Sequence, residues 1–406
     1  MKLTEKISNH NFKAFLWHLA FLSFAQNFID IDTIIPAMLI DAGGTSFHIG
    51  IMTTIMLGGA SMTQLLFAPL ISSKPYKKGL LIFGIEFRIA SLLMLGTILY
   101  FSNHIPGDYI IFLIFILIAM FSIGGAFANI SYTDIFGKSL LTSSRKPFFS
   151  IKQVVSGIIV FISALVAKKV LTTAEYPINY AYMLFIGFAS LSIASLGFFK
   201  LKETEPSKLE IKSLPNFINL IRKELRENKK LAYFLGFINT AGVSIAFLPF
   251  ALLYAKTVIG IHSSETGNFL LFKVLGVVLT GLILYLIAGK FRYKYLLYLN
   301  LALALILPLL LIFPIEIHFF SAVFVIGGIV FAIYNVTMNG ILLEVSTTEN
   351  RALYMGIIGA GNLLPALFPI LSGAIISTFG FTPFIVLFVV IISSSAYFIY
   401  KLDCIN

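Results

Sequence analysis

Leu70-Ile71-Ser72-Ser73-Lys74-Pro75-Tyr76-Lys77-Lys78-Gly79-Leu80-Leu81 returns about half a chain later as Leu286-Ile287-Ala288-Gly289-Lys290-Phe291-Arg292-Tyr293-Lys294-Tyr295-Leu296-Leu297. The two stretches align without gaps and share six of twelve residues, both outer lysines included. Each is a basic turn between two long apolar runs. A second echo keeps nearly the same offset: Phe121-Ser122-Ile123-Gly124-Gly125 recurs as Phe324-Val325-Ile326-Gly327-Gly328. Duplicated apolar segments in the same order predict a chain built from two related halves.

The apolar runs on either side of these turns decide the fold class. The chain is 58% hydrophobic and 12% charged, against roughly 25% charged in a soluble domain. Apolar stretches long enough to cross a bilayer recur along its whole length. They predict an all-α polytopic membrane protein with twelve spans: 13–40, 47–71, 80–101, 109–135, 148–170, 179–199, 231–255, 264–288, 294–314, 317–342, 352–376 and 382–400. The expected organisation is a six-helix bundle over 1–199, a cytoplasmic linker over 200–230 and a second six-helix bundle over 231–406. The first span exceeds about 20 residues and lacks a small-residue cleavage site, so it reads as a retained helix.

The net charge of +11 invites a nucleic-acid reading, but its distribution argues against one. With the N-terminus in the cytoplasm, every Lys and Arg falls on the cytoplasmic side except Arg88, Lys168, Lys169, Lys256 and Lys273. This positive-inside bias predicts both termini in the cytoplasm and a multi-pass protein of the cell membrane. The lone Cys404 excludes a disulfide framework. There is no GxxxxGK[ST] phosphate loop, HExxH or GxSxG, and neither a metal site, a cofactor nor an enzyme activity is expected. Within the linker, 213–230 predicts an amphipathic helix with Phe217, Leu220, Ile221 and Leu225 on one side and basic residues toward lipid headgroups.

Six spans, a charged cytoplasmic linker and six further spans with repeated turns resemble the major facilitator superfamily over essentially the whole chain. In that family's signature turn, Gly-x-x-x-Asp-Arg-x-Gly-Arg-[Arg/Lys], an acid is expected where Ser72 and Ser73 stand, and a small residue where Pro69 stands. Glu344 and Arg351, with six residues between them, are similar to the Glu-x6-Arg pairing of sugar porters. Asp134 and Arg145 hold comparable places after span four. The resemblance implies a candidate cytoplasmic gate at Asp134/Arg145 and Glu344/Arg351.

Charges inside spans carry the chemistry, because a charge at mid-bilayer costs about 2.5–3.5 kcal/mol. Asp30 and Asp32 lie in the outer half of span one, and on a helix they diverge by roughly 200°. One is expected to face the central cavity. Asp32, nearer the exit, is expected to be the solvated one. The resemblance implies that spans one and eight face each other across the cavity, which would set Asp30 opposite Lys273. Burial raises a carboxyl pKa and a nearby ammonium lowers it, so separating such a pair favours protonation. Asp30 is therefore the expected coupling acid and Lys273 its partner or a substrate anchor; the alternative is a static buried pair. Glu86 and Arg88 lie closer to the cytoplasmic end, where an arginine can reach headgroups, and a structural role is expected of them.

Asn27, Gln64, Asn129, Asn239, Asn335, Asn339 and Asn362 form a second tier on spans that, by the resemblance, line the cavity. Interhelical hydrogen bonding explains any single one, and as a set they can supply the polar groups of an otherwise apolar pocket. The expectation is a monomeric secondary transporter moving a small organic solute by alternating access, coupled to protons and surrounded by membrane lipid. The alternatives are an uncoupled facilitator or a non-transporting sensor or scaffold. Few cavity charges suit drug-type efflux, while Asp30 and Lys273 equally suit a polar nutrient.

Overall fold

A computed structural model describes residues 3–59, 63, 66–67, 71, 74–206, 214–262, 265–286, 292–312, 317–346, 354, 357–359 and 361–402. The described residues contain eleven helices long and apolar enough to cross a membrane, plus the shorter apolar helix Ser46–Gly58 where the second span begins. The fold is the all-α, twelve-helix arrangement expected from the sequence. The chain divides into two compact units: Met1–Asp30 with Met62–Phe217, and Ile31–Ser61 with Ile218–Asn406.

Unit one holds the first part of span one and spans three to six. Span one starts at Glu5, where Thr4 Oγ1 accepts a hydrogen bond from the Ile7 amide at 3.4 Å, and runs to Gln26. Spans three to six are the helices Lys78–Tyr100, Gly107–Ser139, Thr142–Leu171 and Ile178–Phe199. Glycine sets the closest approaches. A Cβ on Gly197 would stand 2.6 Å from the Ala14 carbonyl, so spans one and six touch backbone to backbone there. Trp17 Nε1 donates to the Ile193 carbonyl at 2.8 Å on the same seam. Phe15, fully buried, meets Tyr132, Phe136, Phe148 and Phe198 edge-on, with ring centroids 5.2 to 6.3 Å apart.

Unit two holds spans seven to twelve, the later part of span one and the first part of span two. Span seven runs Lys229–Ala241, tightens into a 3₁₀ turn over Gly242–Ala246 and resumes as Phe247–Tyr254. Pro249 explains the turn: it cannot donate to the preceding turn, and its ring crowds the carbonyl there. The helices Thr266–Leu286, Tyr293–Ile312 and Ile317–Val345 follow, then Leu363–Phe379 and Phe381–Leu402, the last two joined at Gly380 with φ +81°. The linker helix forms over Leu214–Glu227. Ile221 and Leu225 pack on the unit's own core, beside Leu231, Phe234 and Tyr354. The Tyr354 hydroxyl donates to Glu224 at 2.9 Å and accepts from Asn228 at 3.1 Å. The side chains of Phe217 and Leu220 lie outside those described.

The first span is not one continuous helix. After Gln26 come a 3₁₀ turn at Asn27–Ile29, an extended Asp30 (φ −62°, ψ 126°) and a new helix over Ile34–Asp41. The division between the two units falls inside this break, between Asp30 and Ile31. The second span's start, Ser46–Thr53, lies flat on span eleven. A Cβ on Gly50 would stand 2.5 Å from the Pro369 carbonyl, and one on Gly373 the same distance from the Ser46 carbonyl. The Ile370 amide donates to Thr54 Oγ1 at 3.1 Å across the same contact.

Candidate functional site

The break in span one carries Asp32 to Lys273. Lys273 Nζ lies 2.5 Å from Asp32 Oδ2, with the two side chains only 8% and 3% exposed. The expectation that Asp32 is solvated is therefore corrected: Asp32 is buried, and Asp30 half-buried. The physical reason is local. Helical spacing of roughly 100° per residue applies only within a helix, and residues 30–33 leave it. Lys273 Nζ also sits 5.8 Å above the Phe331 ring. A buried pair of this kind is held by two matched charges, and losing either one strands the other.

Nearer the end of the same segment, Lys256 Nζ meets Asp41 Oδ1 at 2.6 Å, again with little exposure. Asp41 sits at the last turn of Ile34–Asp41 and Lys256 in the π-turn that ends span seven. Sequence reading passed over this pair because Asp41 stands where a span meets a loop. Unit two thus carries two ion pairs that fasten the end of span one to spans seven and eight.

The amides divide by use. Asn27 donates to the Val160 carbonyl (2.6 Å) and Ser163 Oγ (2.7 Å), tying the break in span one to span five. Asn239 clasps the start of span eleven: its Nδ2 donates to the Gly361 carbonyl at 2.7 Å, and its Oδ1 accepts from the Leu364 amide at 2.9 Å. That satisfies backbone groups which a helix end leaves open. Asn335 donates to its own preceding turn at Phe331. Asn339 does the same to Asn335 and is exposed, and Asn129 is exposed as well. Asn362 Oδ1 is buried and, among the described residues, accepts no hydrogen bond. Gln64 lies outside the described residues.

At the opposite end of unit one, the expected Asp134/Arg145 pair is not formed. Asp134 meets Lys77 at 3.1 Å and Lys138 at 2.8 Å, while Arg145 donates to the Gly137 and Leu140 carbonyls. Lys138 lies one helical turn from Asp134, so it reaches the carboxylate without leaving its own helix. The acid missing at Ser72 and Ser73 is supplied from after span six. Glu203 accepts from the Lys77 amide (2.8 Å) and the Lys78 amide (2.8 Å), and meets Lys138 at 2.7 Å. A carboxylate at the first amides of span three answers both their unmet donors and the helix dipole. Its only sequence signal was an acid soon after an apolar span. Glu344 is exposed at the end of span ten; Arg351 lies outside the described residues.

Two cationic residues, Lys273 buried and Arg88 partly exposed, lie against the repeated Phe-x-Ile-Gly-Gly segments. In unit two, Gly328 abuts the backbone of Lys273, whose carbonyl would overlap a Cβ added to that glycine. In unit one, Gly124 and Gly125 border Arg88: a Cβ on Gly124 would stand 2.9 Å from Arg88 Cγ, and one on Gly125 3.8 Å from its Nε. The Arg88 guanidinium lies 4.1 Å over the Phe121 ring. Arg88 is about ten residues inside span three, roughly 15 Å along the helix from its start.

The Major Facilitator Superfamily model matches residues 16–318. A comparison with curated proteins finds no match. Solved structures share the fold at low identity. A point mutant of the nucleoside transporter NupG aligns with TM-score 0.69 and 15% identity, over 96% of this chain and 98% of that one. A POT family transporter in complex with a thioalcohol-conjugated peptide aligns with TM-score 0.69 and 14% identity, over 95% and 96%. A bacterial homologue of the iron transporter ferroportin, inward-facing, aligns with TM-score 0.69 and 11% identity, over 97% and 98%. With its twelve-helix fold and three-quarters of its length matched, this membrane protein belongs to the Major Facilitator Superfamily.

Proposed function

We propose that this protein is a monomeric secondary transporter of the cell membrane, with both termini cytoplasmic. It moves a small organic solute by alternating access and couples that movement to protons. The observation that carries this reading is the Asp32–Lys273 pair. It joins the outer part of span one, the part facing away from the basic turns, to span eight within unit two. Protonating Asp32 cancels its attraction to Lys273, so the outer contact loosens when a proton arrives. Asp41–Lys256, together with the glycine-spaced contact of span two on span eleven, closes the same end.

The two six-helix halves, 1–199 and 231–406 with the linker 200–230 between them, are the proposed moving bodies, and the break at residues 27–33 is the proposed flexing point in span one. Clustered charge at Lys77, Asp134, Lys138 and Glu203 serves the cytoplasmic end in the place where Asp134/Arg145 was expected. Exposed Asn129 and Asn339, each within an apolar span, are the proposed polar lining. Glu344/Arg351 is a further proposed gate.

A metabolite and drug screen in proteoliposomes with an imposed pH gradient tests this. The reading expects accumulation of a solute that stops when the gradient is collapsed, and loss of that dependence in Asp32→Asn. Transport unaffected by the gradient would establish an uncoupled facilitator instead. Binding without transport would establish a sensor or scaffold.

A further inference from the structure

We infer that Arg88 is a binding point for an anionic group, a carboxylate or phosphate carried by the transported solute, beside the Phe121 ring of unit one. The inference begins with what Arg88 lacks. Its Nε is shut from solvent and makes no hydrogen bond, and among the described residues no carboxylate pairs with the guanidinium and no acceptor takes a bond from it. An arginine cannot discharge itself by deprotonation, so it keeps its charge and its five donors.

The resident acids of unit one are committed or turned away. Asp134 and Glu203 hold Lys77 and Lys138. Glu86 stands two residues before Arg88, roughly 200° round the helix. The guanidinium carbon lies 4.1 Å over the Phe121 ring, and Gly124 and Gly125 pack against the side chain, a Cβ on Gly125 meeting Nε at an ordinary contact distance of 3.8 Å. Lys273, against the matching segment of unit two, has a resident carboxylate. The same place in unit one has a planar donor fork with its partner missing, and such a fork matches a carboxylate or phosphate two bonds at a time.

This rests on the transporter reading only in calling the ligand a solute; it is tested by binding, so failure of proton coupling leaves it standing. The full chain in lipid nanodiscs is followed by thermal unfolding with benzoate, inorganic phosphate, chloride and the neutral isostere benzamide. Benzoate or phosphate is expected to raise the unfolding temperature by several degrees in a saturable way, with benzamide and chloride without effect. Whichever of the two acts identifies the group as carboxylate or phosphate. Arg88→Gln is expected to lose the shift and Arg88→Lys to keep a smaller one. Phe121→Leu, which keeps the charge and removes the stack, is expected to weaken it, and serves if Arg88→Gln fails to fold. A shift from benzamide equal to that from benzoate, an unchanged shift in Arg88→Gln, or no saturable shift with either anion would overturn the inference.

Discussion

Arg88 and Lys273 are both cations on membrane spans, each lying against a Phe-x-Ile-Gly-Gly segment, yet the two units treat them in opposite ways. Lys273 is closed off by Asp32 at 2.5 Å. Arg88 has a ring at 4.1 Å and no resident acid among the described residues. A desolvated cation–π stack recovers about 2 kcal/mol, against roughly 2.5–3.5 kcal/mol for placing an arginine at the centre of a span. Duplication preserved the glycine seat for a cation, whereas its neutralisation was solved once by the protein and once left to something else. The difference separates a charge that holds two segments together from a charge that is available.

Breaking the paired cation is expected to have the largest effect. Asp32→Asn removes the charge that meets buried Lys273, and thermal unfolding in nanodiscs should show a loss of about 3–5 kcal/mol. Adding Lys273→Met should restore most of it, since removing both charges removes the conflict. Glu203→Gln, which disturbs a paired cluster within unit one, should cost about 1–2 kcal/mol through the lost helix cap and the weakened Lys138 contact.

Arg88→Met sharpens the contrast. No ion pair is broken, so stability should change by about 1 kcal/mol or less, and toward greater stability, as the charge penalty outweighs the lost stack. A loss comparable to that of Asp32→Asn would mean that Arg88 has a resident partner after all. Smallest of all, Gly125→Ala should stay within about 0.5 kcal/mol, because the added methyl meets Arg88 at ordinary contact distance and nothing closer. Gly124→Ala should be clearly worse, its methyl falling 2.7 Å from the Gly84 carbonyl.

The large features were legible in the sequence because they follow from length and apolarity. Span count, duplication and family needed no side-chain geometry. The charged residues were found but partly mis-sorted. Asp30 and Asp32 were placed on a helix that the Asn27–Ile29 turn interrupts, so Asp32 was expected in solvent although it is buried against Lys273. For Asp134, the nearby Lys138 was a better partner than Arg145, and its spacing of one helical turn was a readable signal. Glu203 and Asp41 act across long sequence separations from positions that look like solvated span ends. The second sequence echo was legible as duplication, but its role as a seat for two cations required knowing which helices lie against it.

Accessibility of span eleven tests the central claim most directly. Ser372 is fully buried beside the glycine contact between spans two and eleven. In right-side-out vesicles carrying Cys404→Ser and Ser372→Cys, a membrane-impermeant maleimide should label slowly from outside. Asp32→Asn, which mimics the protonated acid, should raise that labelling rate several-fold. Equal rates with and without Asp32→Asn, in protein that remains folded, would contradict a charge-held outer closure.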